Sequence, residues 1–183
     1  VARLIDLDSR CIVIPAHAWT PWFGVYGSKS GFDSLQECFG DTASQIHAIE
    51  TGLSSDPAMN WRVPELDSRS IVSFSDALSA QRLGQELTVF RGELSYAGLA
   101  NALKNQRIEY TVEFFPEEGK YHHSGHRRCD VRRSPAEVLE SGSACPVCGR
   151  RLTLGVMQRV EELARRNVEA RPDGEGLIRA SNG

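Results

Sequence analysis

The sequence lacks any apolar run longer than a β-strand. A transmembrane helix needs about 20 consecutive apolar residues, so we expect no membrane span. The N-terminus also lacks the charged and apolar segments of a secretion signal, which favours a cytoplasmic location. The chain begins with Val1 rather than Met, and we interpret it as a piece of a longer protein.

Cysteine is scarce, with five residues in 183. Cys145 and Cys148 form a C-x2-C pair, which in a reducing compartment indicates a metal site rather than a disulfide framework. Upstream, His126 and Cys129 repeat the same spacing, giving H-x2-C-x15-C-x2-C. Each pair fits one tight turn, and four protein ligands leave no open coordination position. The pattern therefore predicts a structural Zn²⁺ site.

The fourth ligand has alternatives in the sequence. His122 and His123 lie just before His126 and are substitutes for it, although each is more simply interpreted as an exposed loop residue. Residues 134–142 separate the two ligand pairs, and they contain a Ser-Pro-x-Glu start and a final Gly that predict a short capped helix.

The net charge of −3 hides an asymmetry along the chain. Residues 1–119 carry 9 Lys and Arg against 16 Asp and Glu, whereas residues 120–172 carry 11 against 6. A basic segment next to an acidic one suggests a polyanion as partner, and a solvated charged surface is the alternative. Six arginines that flank the zinc ligands are candidates for phosphate contacts: Arg127, Arg128, Arg132, Arg133, Arg150 and Arg151.

A predicted helix over residues 153–166 adds further arginines. Its Glu161–Arg165 and Glu162–Arg166 spacings allow i,i+4 ion pairs. A helix surface that pairs with itself is therefore an alternative to phosphate binding for these arginines.

Short strands that alternate with helices and loops favour a parallel α/β layout. The predicted strands cover residues 11–15, 46–52, 70–76 and 87–93, and the predicted helices cover 35–39 and 94–104. In such sheets the chemistry collects where strands end. His17, Glu50 and Asp76 each directly follow an apolar run near the end of a predicted strand, so together they predict a site. Singly, each fits a capping, packing or solvated role.

Several segments resemble endonuclease Q, a DNA-repair nuclease family with a PHP (polymerase and histidinol phosphatase) domain and a zinc-binding module. The segments include "IPAHAWTPWFGVYGSKSGFDSLQECFGD", "AIETGLSSDPAMNWR", "EFFPEEGKYHHSGHRRC" and "CPVCGRRLTLGVMQRVEELA". The resemblance implies an α/β fold: the latter part of a PHP-type distorted (β/α)7 barrel followed by a small zinc-binding module. It also implies nicking of DNA on the 5′ side of uracil, hypoxanthine, xanthine or abasic sites with a divalent metal such as Mn²⁺, Mg²⁺ or Zn²⁺.

By this resemblance His17 and Asp76 are metal ligands of the catalytic cluster, and Glu50 lies close to it. Two features depart from the family. No His-x-His motif precedes residue 11, and Leu78 stands where the family has a His. Leucine cannot coordinate a metal, so we expect this chain alone to be inactive.

The domain organisation follows from the same resemblance. Residues 1–118 would be the C-terminal part of the PHP-like phosphoesterase domain, 119–172 an Arg-rich, DNA-binding zinc module, and 173–183 a flexible tail. Trp19 and Trp22 are candidates for stacking on or wedging between bases, with packing of their loop as the alternative.

Two other functions remain open at the level of sequence. The second interpretation is a non-catalytic DNA-binding or scaffold protein with a decayed metal site. A PHP phosphoesterase acting on small phosphate esters is the third interpretation, against which the basic zinc module argues, because a small substrate does not need it.

Overall fold

A buried pair of parallel strands lies at the centre of the fold. The computed structural model describes residues 1–167, in which β1 (Ala48–Glu50) pairs in parallel with β2 (Ser70–Val72). Every residue of both strands is buried, as is typical of strands covered on both faces. A single parallel bridge joins Val13 to Ile46 beside them. The predicted strand over residues 11–15 is therefore reduced to one bridging residue.

The other elements are short and surround this pair. In chain order they are α1 (Ala2–Leu7), α2 (Leu35–Phe39), α3 (Pro57–Trp61), β3 (Leu87–Phe90), α4 (Tyr96–Lys104), β4 (Ile108–Val112), β5 (Ser124–His126), β6 (Val131–Arg133), α5 (Pro135–Ser141) and α6 (Val156–Leu163). Short 3-10 helices cover Gly40–Gln45, Pro64–Leu66, Ala80–Arg82, Pro116–Glu118 and Arg127–Cys129. No helix within residues 1–167 has the length and hydropathy needed to cross a membrane.

The fold is mixed α/β rather than purely parallel. β3 and β4 form an antiparallel ribbon, and so do β5 and β6. The expectation of a parallel layout is thus confirmed for β1 and β2 and wrong for the other pairs. Strand direction escapes sequence inspection because side chains alternate between faces in the same way in both kinds of ladder.

Serine caps fix the starts of three helices. The hydroxyl of Ser34 accepts the amide of Glu37 at 3.0 Å, which begins α2 where the sequence predicts it. Ser134 and its Glu partner form the predicted capping box of α5. α4 begins two residues later than predicted because Ser95 supplies its cap.

Two apolar clusters lie on opposite faces of the parallel pair. Ile49 and Ile71 stand opposite each other and point into the larger cluster, while Ala48 and Val72 point into a smaller one with Leu103. The larger cluster contains Ala18, Trp19, Val25, Tyr26, Leu35, Ala43, Ile46, Ile49, Val63, Leu66, Ile71, Val156, Val160 and Leu163. Helix α6 thus contributes to the same core as the first seventy residues.

Ion pairs and backbone contacts also fasten α6 to the preceding chain. Arg62 and Glu161 form a salt bridge at 2.7 Å. The guanidinium of Arg159 donates to the carbonyl oxygens of Tyr26 and Phe32, both at 3.0 Å. Glu161 is therefore paired with Arg62, the residue that follows α3, rather than with the i,i+4 partner that the sequence offers it. Of the predicted zinc module, residues 168–172 lie outside the described residues, as does the predicted tail 173–183.

Candidate functional site

The four predicted zinc ligands come together. Ligand atoms of His126, Cys129, Cys145 and Cys148 all lie within 4.8 Å of one another. Nδ1 of His126 is 3.4 Å from Sγ of Cys148. Within residues 1–167 this is the single group of three or more His, Cys, Asp or Glu side chains that approach so closely.

Two tight turns carry these ligands. The first pair lies where β5 ends and a 3-10 turn begins, and Asp130 leaves that turn in a left-handed conformation with φ 51°. In the second pair the amide of Gly149 donates to the carbonyl of Cys145 at 2.8 Å. Gly149 has φ 71°, which glycine adopts without the cost that a Cβ would add.

The thiols of the group have strongly perturbed acidities. Burial opposes ionisation of Cys145, but amide groups of Cys148 and Val147 and the His126 ring outweigh it and lower its pKa to about 6. Desolvation and then the neighbouring thiols raise the pKa of Cys129 to about 11. Three thiols packed together resist full ionisation unless a cation joins them, and a Cys3His set has the donor chemistry of a closed zinc site. The group could therefore bind zinc.

The alternative histidines occupy other places. The interpretation of His122 as an exposed loop residue is wrong, because only 1% of its surface is exposed. Its Nδ1 lies 3.0 Å from the carbonyl oxygen of Ser54, in the loop after β1, and the His123 ring packs edge-on against it at 4.8 Å. Neither belongs to the four-ligand group, so the structure brings together the set that contains His126.

The second predicted site lies at the carboxyl end of the parallel strands. Glu50 ends β1 with 4% of its surface exposed. Burial raises the pKa of Glu50, and the nearby His17 ring and Asp76 carboxylate act on it with opposite sign. Asp76 is exposed, and among the described residues the three side chains do not form a close three-ligand group. Leu78 is 93% exposed beyond them.

The backbone and ring of His17 are held by several contacts that the sequence did not indicate. His17 has φ 34° and donates its amide to the Glu50 carboxylate. The Thr20 hydroxyl lies 3.1 Å from His17 Nδ1. Gly52 passes so close that a Cβ placed there would lie 2.8 Å from the His17 Cβ. In the sequence, the Gly that follows Glu50 and Thr51 was the one feature that could have indicated a close backbone approach here.

Two further carboxylates lie buried beside this region. Ser73, directly after β2, donates its hydroxyl to Glu86 at 2.9 Å. Burial raises the pKa of Glu86 to about 7 and that of Glu113 to about 8. The sequence indicated neither, because each lies at the end of a short strand, where a carboxylate is usually solvated, and only the fold buries it.

A basic groove of about 690 Å³ lies between the loop at Trp22 and the zinc group. The Tyr121 ring is in its wall, with the Trp22 ring edge-on at 6.1 Å and Lys120 Nζ 5.0 Å from its centre. Charged residues in the wall are Lys120, Arg127, Arg128, Arg132, Arg150, Glu118 and Asp130. Positive side chains therefore outnumber negative ones along it.

Four of the six predicted arginines line this groove, and two do not. Arg133 donates to the carbonyl of Gly142 at 2.8 Å, beyond the end of α5. Arg151 is exposed and bridges to Ala144. Lys120 and Tyr121 are wall residues that the sequence did not single out, although they adjoin the first basic cluster.

The two tryptophans of the loop separate into different roles. Trp19 is 1% exposed, stacks on Tyr26 at 4.6 Å and donates its Nε1 to Asn60 at 2.8 Å. It is a core residue and cannot reach a base, so the packing alternative holds for it. Trp22 is 45% exposed and lines the groove.

Two curated relatives are similar to nearly the whole chain. An uncharacterized protein of Methanocaldococcus jannaschii is 32% identical over 178 residues, covering 90% of this chain and 22% of the relative. The uncharacterized protein YqxK of Bacillus subtilis is 34% identical over 162 residues, covering 86% of this chain and 40% of the relative. The chain thus spans less than half the length of either relative. No protein-family model matches it.

Two solved structures share the fold. The lesion-specific endonuclease PfuEndoQ from Pyrococcus furiosus superposes with a TM-score of 0.76 at 30% identity, covering 91% of this chain and 42% of that one. An endonuclease Q complex with a 27-mer duplex substrate that has an abasic lesion at the active site gives 0.75 at 28% identity, covering 93% and 45%. The resemblance to endonuclease Q that the sequence predicts is confirmed.

Proposed function

We propose that this chain is part of an endonuclease Q-like DNA-repair nuclease, in which it supplies the latter part of a PHP-type barrel and a zinc-binding module. The carrying observation is the similarity to two endonuclease Q structures over more than nine tenths of the chain, at TM-scores of 0.76 and 0.75. The proposed reaction is metal-dependent hydrolysis of the phosphodiester on the 5′ side of uracil, hypoxanthine, xanthine or an abasic site.

The basic groove supports DNA as the partner. Arg127, Arg128, Arg132 and Arg150 line it together with Lys120. Guanidinium groups match phosphate oxygens in geometry and charge, and an array of them binds a polyanion more strongly than it binds one small phosphate ester. The groove therefore favours DNA over the third interpretation from the sequence.

Aromatic rings in the wall suit an unpaired nucleotide. Trp22 is partly exposed, and Tyr121 lies edge-on to it. Bases stack on such rings with little regard to their identity, so a nucleotide near a lesion could rest there while the arginines hold the flanking phosphates.

The zinc group has a structural task in this proposal. Zn²⁺ held by His126, Cys129, Cys145 and Cys148 would fix the turns that carry Arg127, Arg128 and Arg150 along the groove. A reducing cytoplasm would keep the three thiols available for the metal.

The catalytic cluster is proposed at His17, Glu50 and Asp76. Glu50 Oε1 is buried without a hydrogen-bond partner, which is consistent with a role as a metal ligand. Mn²⁺, Mg²⁺ or Zn²⁺ bound there would supply an activated water and neutralise charge on the phosphate. The chain's own part is to hold the His17 ring and the Glu50 carboxylate at the end of β1.

A non-catalytic DNA-binding or scaffold role is the second candidate. It is favoured by Leu78, which is 93% exposed at the position where the related family has a His. An apolar side chain there removes one ligand and adds none. In this case the groove would bind DNA while the cluster stayed without a functional metal.

One nicking assay separates these functions. Labelled duplexes with a single deoxyinosine or abasic site are incubated with Mn²⁺ and either the 183-residue chain or the complete product of its gene. We expect no cleavage by the 183-residue chain, and cleavage by the complete product that Asp76→Asn abolishes and Leu78→His increases.

The outcomes point to different conclusions. DNA binding by the complete product without cleavage in any variant supports the scaffold role. Absence of both binding and cleavage refutes both candidates. Robust cleavage by the unmodified 183-residue chain contradicts the missing-ligand argument at Leu78.

A further inference from the structure

The His17 ring lies against a hydroxyl that has more acceptors around it than protons to give. Oγ1 of Thr20 is 3.0 Å from the carbonyl oxygen of His17, 3.1 Å from that of Trp22 and 3.1 Å from Nδ1 of His17. A threonine hydroxyl carries one proton and two lone pairs. Donation to Nδ1 would leave both oxygen–oxygen contacts, at 3.0 and 3.1 Å, without a proton between the atoms, whereas donation to a carbonyl oxygen leaves only one, so the hydroxyl proton belongs on a carbonyl oxygen.

The contact between Thr20 and the ring is then defined by elimination. With its proton on a carbonyl, Oγ1 faces the imidazole with a lone pair and accepts a hydrogen bond. Nδ1 of His17 must supply the proton for that bond. In a neutral imidazole the second nitrogen, Nε2, is then a bare lone pair.

The backbone of His17 is fixed independently of Thr20. Its amide donates to the buried Glu50 carboxylate, and its left-handed φ of 34° places the ring at the end of the strand pair. Gly52 lies where any side chain would strike the His17 Cβ, 2.8 Å away. These contacts hold the residue in place and leave the choice of ring tautomer to Thr20.

We infer that Thr20 is a positioning residue that holds neutral His17 in the Nδ1–H tautomer and presents Nε2 as the ligand for a divalent cation. This inference rests on the proposed function for the ligand role of His17, whereas the tautomer assignment rests on the three contacts of Thr20 alone. Partners that bond the second nitrogen of a metal-binding His typically change metal affinity by 10- to 100-fold when removed.

The test measures the tautomer directly. Long-range ¹H–¹⁵N NMR correlations of the ¹⁵N-labelled 183-residue chain, with its Cys3His group loaded with Zn²⁺, report which ring nitrogen carries the proton at about pH 8.5, where an ordinary His is neutral. His17→Asn identifies the His17 signals among the five histidines. We expect Nδ1–H in the unmodified chain and in Thr20→Ser, and a mixture of tautomers in Thr20→Val, which keeps the shape and removes the hydroxyl.

A second readout follows the cation. Mn²⁺ prefers oxygen and imidazole ligands to a thiolate site already filled by zinc, and as a paramagnetic ion it broadens signals near it. We expect selective broadening of the His17 ring signals, and Thr20→Val should need about tenfold more Mn²⁺ than Thr20→Ser for the same broadening. Zinc content and unchanged signals of the other histidines verify that each variant is folded.

The outcomes distinguish the tautomer assigned to His17 from its role as a metal ligand. An Nε2–H tautomer in the unmodified chain overturns the role of Thr20, whatever the metal does and without need of any variant. An Nδ1–H tautomer with no Mn²⁺ broadening in any chain, a Leu78→His variant included because it restores the ligand that Leu78 removes, overturns the ligand role of His17, and with it the inference that Thr20 serves a metal. Equal Mn²⁺ requirements in Thr20→Val and Thr20→Ser also overturn it.

Discussion

Replacing Val160 with Ala tests whether the zinc-binding segment and the strands fold as one unit. Val160 lies in α6 and is fully buried in the cluster that also contains Trp19 and Ile49. The substitution removes two methyl groups from the core. At about 0.8 kcal/mol for each buried carbon, the transfer cost is about 1.6 kcal/mol, and the cavity left behind raises the loss of unfolding free energy to about 2 kcal/mol.

The assay measures this loss of unfolding free energy in residues 1–118, on the other side of the predicted domain boundary from Val160. All three tryptophans, Trp19, Trp22 and Trp61, precede residue 119, so their fluorescence during urea unfolding reports on the strand-containing part. We expect Val160→Ala to lower the midpoint of the fluorescence transition with its slope unchanged. Val147→Ala makes the same chemical change at a position that is 69% exposed and should cost less than about 0.5 kcal/mol.

A fluorescence transition whose urea midpoint is unchanged by Val160→Ala would refute this reasoning. It would mean that α6 detaches before the tryptophans lose their packing, and that the segment after residue 118 unfolds by itself. A transition that shifts together with zinc release would instead establish one cooperative unit.

Three further predictions concern the metal, the DNA and pH. Elemental analysis should give about one zinc per chain, lost in Cys148→Ser and kept in Cys38→Ser, because Cys38 lies outside the ligand group. The double variant Arg127→Ala, Arg128→Ala should bind duplex DNA more weakly and make the slope of log K against log salt less negative by about 2, as two phosphate contacts would no longer release counterions. Burial raises the pKa of Glu113 from 4.5 to about 8, so its stabilising contribution is full below 4.5 and is lost as pH rises through about 8. Glu113→Gln should therefore flatten the fall in unfolding free energy between about pH 5 and pH 8.

Each of these predictions has a contrary outcome. Zinc retained by Cys148→Ser, or Cys148 alkylated freely in the native protein, would contradict the four-ligand site. An unchanged salt slope would mean that the two arginines are merely solvated. A Glu113→Gln chain with the pH dependence of the unmodified protein would show that the carboxylate is hydrated in solution.

The sequence by itself determined the features that depend on short-range spacing. Two ligand pairs at i,i+3 each require only one turn, so His126, Cys129, Cys145 and Cys148 could be chosen without knowledge of the fold. Helix α5 followed from Ser134 and its capping box for the same reason. A strand-end location for Glu50 also followed, because a short apolar run has few alternatives to a buried strand.

Tertiary structure alone decided what depends on contacts between distant segments. Trp19 and Trp22 are three positions apart in one loop, yet the first is buried beside Asn60 and the second lines the groove. Likewise, the carboxylate that accepts the His17 amide belongs to Glu50, 33 residues away along the chain. A local sequence pattern records how a residue relates to its neighbours along the chain, whereas burial, charge environment and tautomer are set by residues that the folded chain brings up from elsewhere.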